Sequence, residues 1–412
     1  MLEDLGPDII LQVLALCGVH ATVSLSRASR GLRVITMTKQ LWLDILDNLA
    51  FNGLLDLPPI DRLSVSTDEL IQLVKCAVGG PKSWLFTFPL SQPARQLSFL
   101  VSQPVEEIID LHLLGGGQYI GLCTLNSLQI HHVDTGRKIY CCPVDYERTL
   151  WSIELLAGGQ ILRVLLVPAT SPSSDRLTIQ EVDLLNDQVN EVFSLAFTGR
   201  GSCREPGLVE ELLVFAFIPY HVNQTEVVLI NWRREKCLRL DYMSYPYTAV
   251  KTKLTPNHLV ALYTKDEKPF HTYLAITSPP DLDLMWEGFQ FLDTHFQTIP
   301  FPDIPFAKLE PLTNGQDALD EGTYTKLWVY PSLLYRDAYR VGVYAHKPTR
   351  SHSSMLRRAT DLVMGQLRTQ AVVIYCLLPA FKLPCKLQTS IHPSALASSA
   401  QLSAPQISYA GY

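Results

Sequence analysis

Two groups of residues in this chain have the types and spacing that could support cofactor or metal chemistry. Gly115–Gly117 could begin a G-x-G-x-x-G dinucleotide loop, but position 120 is Ile120, and the glycines separate two predicted strands rather than a strand and a helix. His131, His132 and Asp134 could donate metal ligands, although adjacent residues of a strand point to opposite faces. We therefore expect a hairpin turn and an ordinary strand, with no metal site.

Two basic clusters could bind an anionic group of a partner. Arg233 and Arg234 fall in a predicted β-turn, and Arg357 and Arg358 fall in a predicted helical insertion near 355–367. Paired arginines bind phosphate groups well, so either cluster could recognise a phosphorylated protein segment. The alternative is that both clusters are simply solvated. Tyrosines could line a recognition surface or pack in a core: Tyr242, Tyr245 and Tyr247.

The motifs of common reaction classes are absent. The chain has no G-x-S-x-G elbow, no Walker A loop and no H-E-x-x-H pair. We expect no catalytic residue and no cofactor, and we interpret the protein as a non-enzyme. An enzyme site assembled from distant loops is the least favoured alternative.

Composition and charge exclude several other classes. The chain has 412 residues, a 47% hydrophobic content and a net charge of −6, so no global positive field favours nucleic acid or anionic lipid. No apolar run approaches the ~20 residues of a membrane-spanning helix, and the acidic start predicts no signal peptide. Nine scattered cysteines without a C-x-x-C motif indicate reduced thiols. These features predict a cytoplasmic or nuclear protein.

The first fifty residues are predicted to form short helices that have more apolar surface than they can cover. Pro7 suits the first turn of a helix, and Gly18 is expected to end it. A second helix is expected near 21–29, and a last amphipathic helix begins near Leu41. The surplus apolar face predicts either a partner site or packing on the domain that follows.

This segment resembles the F-box, the docking module of cullin-RING ubiquitin ligase receptors. The resemblance covers residues 5–46 and rests on Leu5–Leu16, on Leu25–Arg33 and on Leu41-Trp42, in that order. It departs from the family at Gly6, where a proline is usual. The resemblance implies binding to a Skp-type adaptor through these residues: Leu5, Pro7, Ile9, Ile10, Val13, Leu14, Leu25, Leu41 and Trp42.

A linker with one helix is predicted over 51–83, between the F-box domain at 1–50 and the rest of the chain. Asp56–Pro59 breaks the helical pattern, and Ser66 and Glu69 have the spacing of a capping box. The helix that follows carries apolar residues and ends before Gly80. We expect this helix to fix the angle between the two domains.

The region 84–386 is predicted to be an all-β repeat domain. Gly-Gly-Gln turns recur at 116–118 and 158–160, a spacing of 42 residues, and each is followed by an apolar strand. The spacing resembles that of WD40-type repeats and implies a degenerate β-propeller of unknown blade number. The alternative is two stacked β-sandwich units with a boundary at the proline-rich segment 299–311. The uncharged tail, 387–412, is predicted to be disordered at first, and a strand at 407–409 could belong to an incomplete last blade.

Together these patterns predict an α+β multidomain protein, with a small all-α F-box domain followed by the β-repeat domain. The resemblance implies a substrate-recognition subunit of an SCF-type ubiquitin ligase, in which the helices bind the adaptor and the β domain binds a target protein. The alternative is a non-catalytic propeller scaffold with a vestigial F-box and no ubiquitin transfer. The target and the oligomeric state are left open.

Overall fold

A computed structural model describes most of the chain. The described residues are 5–55, 64–79, 108–170, 176–196, 201–220, 225–241, 250–264, 272–289, 298–300, 303–304, 306–311, 325–333, 338–348, 369–378 and 386–390. Three features predicted from sequence lie outside them: the arginines Arg357 and Arg358 with their helical insertion, the tyrosines between 242 and 247, and the strand at 407–409.

Five helices open the fold: α1 (Pro7–Cys17), α2 (Val19–Ser26), α3 (Arg30–Thr36), α4 (Lys39–Phe51) and α5 (Thr67–Gly79). Pro7 is the first residue of α1 and Gly18 follows its last, as predicted. The second helix is shorter than predicted, because the Ser29 side chain accepts a hydrogen bond from the Leu32 backbone N–H and starts α3 instead. None of the described helices is long and apolar enough to cross a membrane.

One hydrophobic core holds all five helices together. Leu41, Trp42 and Leu46 of α4 are almost completely buried, and the Trp42 Nε1–H donates to the Thr36 carbonyl at 2.8 Å. Leu70 of α5 lies in the same core, so α5 packs as part of the helical module rather than as a free spacer. We call residues 5–55 and 64–79 the helical module.

The predicted capping box at the start of α5 is confirmed. The Ser66 backbone N–H donates to Glu69 Oε2 at 2.7 Å, and the Glu69 N–H donates to Ser66 Oγ at 3.3 Å. These hydrogen bonds stabilise the ionised carboxylate, and they lower the pKa of Glu69. The capping box satisfies backbone N–H groups that have no partner within the helix, so it stabilises the first turn of α5 against fraying.

The strands of the described chain form five sheets, each with a core of four antiparallel strands that pair in order or nearly so along the chain, and two short strands extend the third sheet. Sheet 1 contains β1 (Ile108–Leu113), β2 (Tyr119–Thr124), β3 (Ser127–His132) and β4 (Lys138–Pro143). Sheet 2 contains β5 (Thr149–Leu155), β6 (Ile161–Pro168), β7 (Arg176–Asp183) and β8 (Gln188–Ala196). Sheet 3 contains β9 (Gly201–Val209), β10 (Leu212–Pro219), β11 (Glu226–Asn231) and β12 (Lys236–Asp241).

Sheets 4 and 5 are interrupted by longer connections. Sheet 4 contains β13 (Lys251–Thr255), β14 (His258–Thr264), β15 (Thr272–Thr277) and β18 (Phe306–Pro311). The connection before β18 holds a 3₁₀ helix at Pro279–Met285 and two short strands that pair with β12, β16 (Glu287–Gly288) and β17 (Thr298–Ile299). Sheet 5 contains β19 (Thr325–Pro331), β20 (Tyr339–Pro348), β21 (Thr369–Leu378) and β22 (Lys386–Ser390).

Successive sheets stack face to face, because the second strand of a sheet is apolar on both sides. In β6, Val164 joins the core shared with sheet 1, whereas its neighbour Leu165 joins the core shared with sheet 3. In β14, Ala261 faces sheet 3 and Val260 faces sheet 5. Side chains alternate across a strand, so a continuous apolar run can fill two cores. The result is a propeller-like stack.

The propeller-like repeat predicted from the glycine turns is confirmed, and the two-sandwich alternative is wrong. The proline-rich segment contains β17, which joins sheet 3, and β18, which completes sheet 4, so it is not a boundary between two units. The start of the tail is also ordered. Residues 387–390 belong to β22, which bonds to β21 through its backbone and therefore needs no charged side chains.

Candidate protein-interaction surfaces

Helix α1 has two apolar faces with different environments. Ile10 and Leu14 are buried, with 2% and 4% of their surface exposed. Leu5, Ile9, Val13 and Leu16 follow one another at spacings of three or four residues, and 45–62% of their surface is exposed. Residues at this spacing share one side of a helix. We call Leu5, Ile9, Val13 and Leu16 the α1 stripe.

The residues predicted to bind the adaptor separate into two groups. Leu5, Pro7, Ile9 and Val13 are exposed and Leu25 is half-buried. Ile10, Leu14, Leu41 and Trp42 lie in the module's own core, where they present no surface to a partner. Their burial positions α1 so that the stripe faces outward. Leu16, which was not among the predicted contacts, extends the stripe by one turn.

The C-terminal end of α4 contacts the two glycine turns, at 116–118 and 158–160, from which the repeat was predicted. The Gly158 N–H of the β5–β6 turn donates to the Phe51 carbonyl at 2.6 Å. At the β1–β2 turn, a Cβ on Gly115 would lie 3.0 Å from the Gly53 carbonyl oxygen, so a larger residue would require the two backbones to move apart. Both turns are therefore hairpins that contact the helical module.

Sheet 5 provides a third contact for the module. Leu333, just after β19, packs against the helical core. A cavity of about 160 Å³ lies beside this contact, between Val19 and Leu49 of the module and Tyr339 of β20. The module thus rests on the ends of sheets 5, 1 and 2, all at the turns that join the first strand of a sheet to the second.

A buried charge cluster joins sheet 2 to sheet 3. Arg163 of β6, with 6% of its side chain exposed, lies 2.8 Å from Glu181 and 3.6 Å from Glu154. The guanidinium also donates to the Glu210 carbonyl at 2.9 Å and stacks on the Trp232 ring, 5.3 Å from its centroid. Because the Glu210 N–H in turn donates to Glu154 at 2.7 Å, the cluster ties the β9–β10 turn to sheet 2.

Glu154 is the electrostatically unusual member of this cluster. Burial raises the pKa of its carboxyl to about 7, although the Glu210 N–H and the Arg163 guanidinium act in the opposite direction. Its Oε2 atom has no hydrogen-bond partner in the described structure and lies beyond hydrogen-bond distance from Arg163. This cluster was not predicted from the sequence, although the single arginine inside the apolar strand 161–168 was a signal for it.

The two histidines of β3 are both engaged within sheet 1. The ring nitrogens of His131 lie 3.2 Å from the Gly136 carbonyl and 3.1 Å from Gln129 Oε1, and burial lowers the pKa of this histidine. The His132 ring packs edge-on against Tyr119, with ring centroids 5.4 Å apart. Among the described residues, no group of three or more histidine, cysteine, aspartate or glutamate side chains could hold a metal ion.

The basic cluster at 233–236 lies in the β11–β12 turn, as predicted, beside an open cleft. The cleft has a volume of about 370 Å³ and lies between sheets 3 and 4. Arg233 stacks on the Trp232 ring, whereas Arg234 lines the cleft and pairs with Glu211 at 3.6 Å. The other lining residues come from distant segments of the chain: Leu212, Asn231, Lys236, Pro256, Pro279, Asp283 and Trp286.

Comparison with known proteins identifies no family. No family model and no curated protein matches the chain. Similar solved structures include hydrazine synthase of Kuenenia stuttgartiensis, at 10% identity and a TM-score of 0.38 over 71% of this chain and 69% of that chain. They also include the WD40 domain of SCAP from fission yeast (6% identity, TM-score 0.30, 69% and 76%) and the fission yeast SREBP–SCAP binding domains (8%, 0.36, 70% and 74%). At these values the similarities carry no functional argument, and the fold assignment rests on the sheets themselves.

Proposed function

We propose that this protein is a non-catalytic receptor subunit of an SCF-type ubiquitin ligase, acting in the cytoplasm or nucleus. In this proposal the helical module binds a Skp-type adaptor and the propeller-like domain binds a target protein. The ligase then transfers ubiquitin to a target that is held close by, so the receptor raises the effective concentration of target lysines and makes no bond itself.

The observation that carries the proposal is the α1 stripe. Its four large apolar side chains are about half exposed, on the helix that opens the F-box-like segment. Contiguous apolar surface of this kind is typical of a protein–protein contact. Full burial of an aliphatic side chain contributes about 1.5–3 kcal/mol, so covering the exposed half of the stripe is expected to contribute about 3–6 kcal/mol before ordering costs.

The propeller-like domain supports the second half of the proposal in a general way. Short turns join the strands at the ends of each sheet. Such turns form adaptable surfaces on a rigid scaffold. A polar cleft between two sheets opens at these turns.

A pull-down with a purified Skp-type adaptor tests the proposal. The double variant Ile9→Asp with Val13→Asp places charges in the stripe without touching the buried residues, and we expect it to lose adaptor binding while its circular dichroism is unchanged. Val189→Asp is the matched control, because Val189 on β8 is 45% exposed and Val13 is 49% exposed. Leu14 is unsuitable for this test, since a charge at its buried position would unfold the module.

Two outcomes would contradict the proposal. The first is a failure of well-folded wild-type protein to bind the adaptor, and the second is equal adaptor binding by the double variant and the Val189→Asp control. The first result would leave a propeller-like scaffold, and the second would place the contact away from α1.

A scaffold with a vestigial F-box is the second candidate, and Gly6 favours it. Gly6 is the N-cap residue of α1, and because glycine has no side chain, no side-chain hydrogen bond caps the helix there. At this position, glycine gives the unfolded chain more conformational freedom than proline would, so ordering the start of α1 costs more entropy. Adaptor binding without ubiquitin transfer to any co-purifying protein, in a reconstituted ligase reaction, would support this second candidate.

A further inference from the structure

The helical module leaves part of one end of the propeller-like stack uncovered. The module contacts the turns at one end of sheets 5, 1 and 2, through residues that include Leu333, Gly115 and Gly158. In an antiparallel meander the turn after the third strand lies at the same end as the turn after the first. The cleft between sheets 3 and 4 is built from these same turns, at 211, 231–236 and 256. It therefore opens on the same end of the stack, in the sector that the module does not cover.

A buried amide with unused hydrogen-bond donors lies at this cleft. Asn231 is 6% exposed, and its Oδ1 atom accepts a hydrogen bond from the Arg234 backbone N–H at 3.0 Å. That hydrogen bond fixes the orientation of the amide, because only the oxygen can accept it. Asn231 lines the cleft, and the described residues provide no hydrogen-bond partner for its Nδ2 group. Such a donor is satisfied when an acceptor enters the cleft.

Cations flank this amide. Lys236, the first residue of β12, lines the cleft and forms no ion pair with any residue that the structure describes. Arg234 is 63% exposed on its side chain, and its one ion pair with a described residue is with the partly exposed Glu211. Exposed pairs of this kind are weak, so the guanidinium can turn to a ligand at little cost. A carboxylate can accept a hydrogen bond from the amide and form charge-assisted hydrogen bonds with the two cations.

The remaining lining residues limit what accompanies the carboxylate. Glu211 and Asp283 add two negative charges to the cleft, so they repel a ligand that carries several acidic groups. Trp286, Pro256 and Pro279 supply flat apolar surface in the same cleft. The volume of about 370 Å³ is at the lower end of the range for ligand pockets, and the cleft opens to solvent.

We propose that the cleft between sheets 3 and 4 binds a peptide segment of a partner protein that carries one carboxylate next to an apolar residue. The carboxylate accepts hydrogen bonds from Asn231 and contacts Lys236 and Arg234, and the apolar residue packs on Trp286. The carboxylate comes either from an acidic side chain or from the C-terminus of the partner. The identification of the partner as a ubiquitination target rests on the proposed function, whereas the binding chemistry does not.

Fluorescence anisotropy with the full chain tests this site. The probes are labelled octapeptides of glycine, alanine, leucine and proline, in three forms: one internal glutamate with an amidated end, one internal glutamine with a free C-terminal carboxylate, and one internal glutamine with an amidated end. We expect one of the first two probes to bind at least tenfold more tightly than the third. The probe that binds identifies the source of the carboxylate.

Two variants locate the binding in the cleft. Lys236→Glu and Asn231→Asp should each weaken the preferred probe at least tenfold, and Asn231→Asp keeps the acceptor for the Arg234 N–H, so the turn is retained. Lys138→Glu is the matched control, since Lys138 is the exposed first residue of β4, at the equivalent position of sheet 1. We expect this control to bind like the wild type.

Three results would overturn the inference. They are equal binding of all three probes, equal loss of binding in Lys138→Glu and Lys236→Glu, and tighter binding of a probe in which phosphoserine replaces the glutamate. The last would show that a dianion is preferred in spite of Glu211 and Asp283. Adaptor binding is measured at different residues, Ile9 and Val13, so the proposed function and this inference can fail separately.

Discussion

The pH dependence of stability should carry the signature of one buried carboxyl, that of Glu154. Burial raises its folded-state pKa to about 7 from an ordinary value of 4.5. Below about pH 4.5 the carboxyl is protonated in the folded and the unfolded chain alike. As the pH rises to 7, the unfolded chain releases the proton while the folded chain holds it, so stability from this group is progressively lost.

The size of the effect follows from the pKa and from the position of the side chain. One pKa unit corresponds to about 1.4 kcal/mol, so raising the pKa from 4.5 to about 7 amounts to about 3 kcal/mol above pH 7. Glu154 is 14% exposed on its side chain, so solvent screens little of this cost. Glu154→Gln has nearly the same shape, keeps an oxygen acceptor for the Glu210 N–H and never ionises. We expect the variant and the wild type to differ by less than about 1 kcal/mol at pH 5 and the variant to be about 3 kcal/mol more stable at pH 8.

Urea unfolding at pH 5, 6, 7 and 8 measures this difference. Glu147→Gln, at an exposed position of the β4–β5 connection, is the control for the loss of one surface carboxylate and should track the wild type at all four pH values. Parallel stability curves for Glu154→Gln and the wild type would refute the reasoning. A variant that is less stable at every pH would show instead that Arg163 needs the negative charge of Glu154.

Three further changes test the helical module and its seat. Gly6→Pro should raise the free energy of unfolding by about 0.4–1 kcal/mol in urea titrations, since Gly6 has φ −57° and a Cβ there meets nothing within 4 Å; a loss of stability would show that the glycine is required. Ser66→Ala removes the capping box and should cost about 1 kcal/mol by the same measurement, and an unchanged midpoint would show that α5 packing alone sets its start. Gly158→Ala should cost about 1–2 kcal/mol from its φ of +91°, with an added cost because the new methyl lies 3.3 Å from the Phe51 ring. Gly159→Ala, also at positive φ but with nothing within 4 Å, is its matched control, and equal thermal shifts would show that the seat on Phe51 contributes nothing.

The strands were predictable from sequence because the local pattern decides them. The apolar strands predicted after the two glycine turns are present as β2 and β6, each beginning directly after its turn. The faces of α1 were not predictable to the same degree. Ile9 and Ile10 are adjacent and equally apolar, so only the packing of the other helices against α1 decides that Ile10 is buried and Ile9 is exposed.

The candidate sites were harder to predict than the strands for a related reason. The charged turn at 233–236 was visible in the sequence, but the cleft beside it also requires Pro256 and Trp286, which come from sheet 4 and its connection. Its key donor, Asn231, is an unremarkable residue at the end of an apolar strand. Only the stacking of two sheets brings these segments together, and no local pattern encodes that contact.

The sharing of each core between neighbouring sheets has a consequence for how the chain folds. Apart from the pairs that β16 and β17 form with β12, the strand pairs within a sheet are local or nearly local in sequence, so a sheet can form early and rapidly. Its second strand, however, has an apolar face that is exposed to solvent until the next sheet packs on it. Leu165 of β6, for example, is buried only when Phe215 of β10 packs in the same core. Folding should therefore spread from each sheet to the next, as in other arrays stabilised by nearest neighbours. If translation pauses between two sheets, the apolar face of the last completed sheet stays exposed to solvent and can be bound by chaperones.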